Sequence, residues 1–84
     1  MTSIEAVVAM FACVVPVKYA REKRDDKKPN SYVHRLDLHT KGDLSFDTER
    51  QLMEILELAN CRLVHTYKYD QIFQCVTWFV KERE

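Results

Sequence analysis

A single glycine, Gly42, in 84 residues leaves nothing from which to build a glycine-rich phosphate cradle. Two prolines are just as sparse. With 46% hydrophobic and 11% aromatic residues, that scarcity argues for a packed fold and against disorder. The three cysteines, Cys13, Cys61 and Cys75, are odd in number and widely spaced, with no CxxC pair. This excludes a disulfide framework and a zinc ribbon. All three sit in apolar stretches, where a free thiol behaves as a small core residue. A reducing, cytoplasmic setting is expected, host cytoplasm if the chain is viral. The apolar run Ala6–Val15 is ten residues long, too short to cross a bilayer. It also lacks the basic start of a secretory signal, so it reads as core.

Net charge is absent as well: 13 basic residues match 13 acidic ones. A neutral chain makes a poor generic DNA binder, because non-specific affinity comes from phosphate neutralisation. The charge is nevertheless segregated. Residues 1–42 carry +3, residues 43–84 carry −3, and 43–60 hold five acids against Arg50 alone.

Eighty-four residues make one domain, 1–84, with a modest core. Its N-terminus is readable two ways. Thr2 and Glu5 satisfy a capping box, and Ile4, Val7, Val8 and Phe11 follow helical spacing, whereas the many valines favour a strand. From Cys13 the alternation Cys13, Val15, Val17, Tyr19 predicts a strand, placed at an edge by Pro16. Eight consecutive charged residues from Arg21 predict a mobile loop over 21–30. A second strand follows over 32–40, with Tyr32, His34, Leu36 and Leu38 inward. Gly42 then marks a turn.

A helix capped by Ser45 or Asp47 runs to about Ala59, with Leu52, Ile55, Leu56 and Ala59 as its apolar stripe. Asn60 suits a left-handed cap. Arg62–Tyr69 and Ile72–Val80 then form a hairpin, its connection three to five residues long for want of an Asn-Gly turn. The expected architecture is α+β. A small antiparallel sheet of about four strands, with elements in the order β-β-α-β-β after the N-terminal segment, carries one main helix on one face. Leu36, Leu38, Leu52, Ile55, Leu56, Leu63 and Val76 should form one core under that helix.

Candidate chemistry is thin. His34 and His39 are five apart on a strand and face opposite ways, and His65 lies on another strand. No metal-ligand spacing joins them to Cys61 or Cys75. Cys75 lies in the most apolar strand, and Cys61 follows a helix C-terminus, whose dipole raises a thiol pKa. The carboxylates Asp43, Asp47, Glu49, Glu54 and Glu57 fall mostly on a solvated helix face. No catalytic residue, cofactor or metal is expected, and no enzyme.

Binding is the expected role, to another protein or complex, including one that itself binds nucleic acid, and not to a membrane. The acidic helix face, chiefly Asp47, Glu54 and Glu57, would steer association. Tyr67 and Tyr69, placed on one strand face, would add aromatic anchors. The plain alternative is the solvent side of an amphipathic helix. A compact, neutral, motif-free domain of this length has the proportions of small phage-encoded inhibitors, anti-CRISPR proteins among them; the comparison rests on size and plainness alone. A competing expectation is a single-stranded nucleic-acid-binding module using the basic 18–28 segment with Tyr67-Lys68-Tyr69. A third is a homodimer joined through a sheet edge, at Pro16 or at the last strand.

Overall fold

The computed structural model describes residues 2–22 and 32–83. The N-terminal segment is a helix, α1 (Ser3–Ala12), opened by Thr2, whose hydroxyl accepts the Glu5 N–H at 3.1 Å. Helical spacing prevails over the β-branched content because Ile4, Val7 and Phe11 all land on one buried side. The helix closes at Cys13, and the Val14 and Val15 N–H groups still bond back to the Phe11 carbonyl. The first strand therefore starts later than its alternation indicates, at Val17 rather than Cys13. Cys13 is exposed, not a core residue.

That strand, β1 (Val17–Glu22), pairs antiparallel with β2 (Val33–His39). The mobile loop expected over 21–30 lies outside the described residues from Lys23 onward, while Arg21 and Glu22 belong to β1. Next comes α2 (Phe46–Leu58), capped by Ser45, whose hydroxyl accepts the Thr48 N–H. Asn60, at φ 56°, turns the chain out of the helix in the left-handed region.

β3 (Cys61–Asp70) and β4 (Cys75–Glu82) complete a four-stranded antiparallel sheet in the order β1-β2-β4-β3. With α2 between them, β2 and β3 run the same way with β4 inserted, a split β-α-β unit. The last strand is thus central, buried from Cys75 to Val80, and cannot serve as a docking edge. The edges are β1 and β3. Ile72 and Phe73, expected in the last strand, belong instead to the four-residue connection 71–74. There the Asp70 carboxylate accepts both of their N–H groups, at 2.9 and 3.4 Å, and Gln74 at φ 51° closes the turn.

Cross-strand partners point the same way, so register sorts the side chains into two faces. Leu36, Leu38, Val76, Trp78, Val80 and Leu63 face the helices. They join Ile4, Val7, Phe11, Leu52, Leu56 and Cys61 in one cluster, with Ile55 and Leu63 packed at its margin. This is the expected core, enlarged by a second helix: α1 packs beside α2 and sets Phe11 edge-on to Trp78, ring centres 5.9 Å apart. Phe11 is completely buried, which contributes roughly 1.5–3 kcal/mol by removal from water. The opposite face of the sheet carries Lys18, Arg35, Asp37, Thr77, Phe79, His65 and Tyr67. No described helix lies over it.

Candidate functional site

Amphipathic burial positions the acids of α2. Leu52 and Leu56 anchor the helix to the core, which turns Asp47, Glu54 and Glu57 outward, all exposed. Asp47 reaches Arg50 at 4.0 Å, both side chains well exposed, a pairing of little strength. Among the described residues neither Glu54 nor Glu57 makes an ion pair. Large apolar side chains stand among these acids: Phe46 is 78% and Leu58 82% exposed, with Met53 about half so. Met53 and Leu58 lie on the solvent side, outside the buried stripe.

Tyr67 stands on the other side of the molecule. It is half-exposed on the open sheet face, edge-on to His65 and to Phe79 at 4.9 and 5.6 Å between ring centres. Tyr69 lines the same groove but also reaches the core. Between Tyr67 and Asp70 the ladder slips by one residue, since their partners Thr77 and Cys75 are only two apart. That bulge breaks the alternation, and Tyr69 packs half-buried against the core cluster. The five candidate residues therefore divide, with Asp47, Glu54 and Glu57 together on the helix layer, Tyr67 opposite and Tyr69 between.

The open face has its own polar architecture. Asp37 accepts from the buried Thr77 hydroxyl at 2.7 Å and from Arg35 Nε at 3.0 Å, and Arg35 also approaches Glu22 at 3.9 Å. Burial works against the Asp37 charge, but the hydrogen bonds from Arg35 and Thr77 outweigh it and hold the carboxyl below its ordinary range. Beside this knot lies an open groove of about 950 Å³ whose lining includes Lys18, His39, Tyr67, Lys68 and Phe73. Neither the knot nor the groove is apparent from the sequence. The only trace is the outward-facing pair Arg35 and Asp37, two residues apart on one strand.

The remaining titratable groups are arranged for packing. Burial pushes the Cys61 thiol up, Glu82 adds to this, and Arg83 opposes it, so the thiol stays protonated. The Tyr19 hydroxyl lies 2.9 Å from His34 Nδ1, with the two rings stacked. His34 and His39 do face opposite ways, as their spacing requires. Among the described residues no group of three or more His, Cys, Asp or Glu is placed to hold a metal. No described helix is long and apolar enough to cross a membrane. Compared with protein-family models, curated proteins and solved structures, the chain matches none.

Proposed function

We propose that this domain acts without catalysis, by binding another protein or protein complex through the outward face of α2. One observation carries the reading. Asp47, Glu54 and Glu57 share an exposed helix surface with Phe46 and Leu58, two large apolar side chains that water surrounds. Exposed acids steer a positively charged partner into place, and exposed apolar side chains supply contact area once it arrives. A cationic surface that normally holds phosphates is the partner such a face fits. Occupying it would make the domain an inhibitor, in the manner of small phage-encoded proteins. Three free thiols accord with a cytoplasmic setting.

Replacing Asp47, Glu54 and Glu57 together by Lys tests this. Exposed charges contribute little to stability, so the variant should fold with unchanged Trp78 fluorescence. Affinity capture from cell lysate should then lose a partner that the parent chain retains, and Phe46→Ala with Leu58→Ala should weaken the same complex. Equal recovery by the parent and both variants would exclude α2 as the binding face.

A further inference from the structure

The open sheet face is a second surface, independent of α2, and its chemistry differs. Lys18 and Lys68 line the groove with His39, and register adds Arg62 and Lys81 to the same face. Of the acids on this face, Asp37 and Glu22 are engaged by Arg35, and the Asp70 carboxylate is held by the turn N–H groups. The excess is cationic, opposite in sign to the α2 face. Among these charges Tyr67 is 51% exposed, and Phe73, at the groove mouth, is 68% exposed. Both are rings with surface that nothing in the core requires.

We propose that this face binds single-stranded nucleic acid, with phosphates along Lys18 and Lys68 and a base stacked on Tyr67. The combination selects that occupant. A peptide of acids alone would satisfy the lysines but carries no ring to stack on the exposed aromatics. A duplex hides its bases from them. A flexible strand offers a phosphate charge and an unstacked base at every step, and an open sheet with outward aromatics is a platform both can reach. The groove is not an enclosed cavity, so a strand can reach it without displacing the fold.

Fluorescence anisotropy of labelled 15-mers, oligo-dT and oligo-U, with the full chain tests this directly. Binding should appear at about 50 mM salt and weaken roughly 7-fold by about 200 mM, the dependence for about two phosphate contacts on a single strand. Tyr67→Ala should weaken it on the order of tenfold, as loss of one stacked base does, while Tyr67→Phe retains it. Lys18→Glu with Lys68→Glu should abolish it. Tyr67 and both lysines are exposed, so each variant should keep the parent's circular dichroism, and Tyr67→Phe guards against a fold defect. A 15-residue oligo-glutamate bound as tightly as the oligonucleotides, with no effect of Tyr67→Ala, would make this an acidic-protein site and overturn the proposal. So would absence of oligonucleotide binding at about 50 mM salt. Charge reversal on α2 leaves this face intact, so the two surfaces stand or fall separately.

Discussion

Replacing Asp37 with Ala removes an acceptor that two donors share. The Thr77 hydroxyl, in a residue only 8% exposed, loses a charge-assisted bond of 2.7 Å and has no other acceptor among the described residues. Leaving that hydroxyl buried and unsatisfied costs about 1–3 kcal/mol. Arg35 is 43% exposed and can turn to water or to Glu22, so the lost ion pair adds only ~0–1 kcal/mol. The sum is about 2 kcal/mol, which at this chain length lowers Tm by roughly 8–16 °C.

Thr77→Val keeps the shape and deletes the donor, costing about 1.5 kcal/mol, since the lost bond was made to a charge. In Asp37→Ala with Thr77→Val no hydroxyl is stranded. The double variant should therefore be more stable than the sum of the singles by about 1 kcal/mol. Urea unfolding followed by fluorescence reads this cleanly, because Trp78 is the sole tryptophan and is packed edge-on to Phe11. The pH arm has a fixed sign. The folded carboxyl titrates below its unfolded value, so its contribution is complete above the ordinary Asp range. It disappears as pH falls through the lower, folded value. Asp37→Ala should lack that acid loss. Additivity of the two substitutions within about 0.3 kcal/mol would refute the coupling and leave the close contact without energetic meaning.

Leu56→Ala, at a position 1% exposed beneath α2, should cost ~2–5 kcal/mol and unfold much of the protein, and an unchanged urea midpoint would contradict the packing described. Asn60→Val should cost about 1–2 kcal/mol, because a branched L-residue resists φ 56°, whereas Asn60→Gly should stay within a few tenths; equal effects would show that the left-handed turn is not what Asn60 supplies. Burial lowers the His34 pKa, with Glu82 opposing and Arg21 assisting, so the unfolded chain binds the proton first. Stability should hold above about pH 6.5 and decline as pH falls below it, and a His34→Gln variant should lose that step in a Tm-against-pH series.

The helical stripe and the strand alternation locate the core correctly because both periods report burial directly. Leu36, Leu38, Leu52, Leu56 and Val76 are the clearest instances. What escapes the sequence is what depends on pairing. The capping box and the stripe Ile4, Val7, Phe11 are present, yet the valines fit a strand as well, and what decides for the helix is the core it shares with α2. The bulge after Tyr67 lets Tyr69 pack against the core while it still lines the groove, and no residue type announces it. Strand order is likewise silent in the sequence, which permits the last strand to be an edge although β4 is central. The acids of α2 were legible as a solvated face. That Phe46 and Leu58 stand among them was not, because an apolar residue near a helix end is ordinarily counted as core.

The segregation of charge in the sequence does not map onto two halves of the molecule. Arg62, Lys68 and Lys81 come from the acidic half of the chain, yet they join Lys18 on the sheet, while Asp47, Glu49, Glu54 and Glu57 of that half gather on α2. Folding thus converts a lengthwise separation into opposite faces. No principal extent of the Cα framework is shorter than 19 Å, more than two Debye lengths at 0.15 M salt, where screening acts over about 8 Å. At that ionic strength the faces should be electrically independent. At about 0.01 M, where the length reaches about 30 Å, each lies within the field of the other. Reversing Asp47, Glu54 and Glu57 to Lys should therefore tighten oligonucleotide binding at about 0.01 M salt and leave it within about twofold at 0.15 M. Anisotropy titrations at the two salts measure this. Equal tightening at both would mean that the reversed helix itself binds the strand, and that the sheet face is not a separate site.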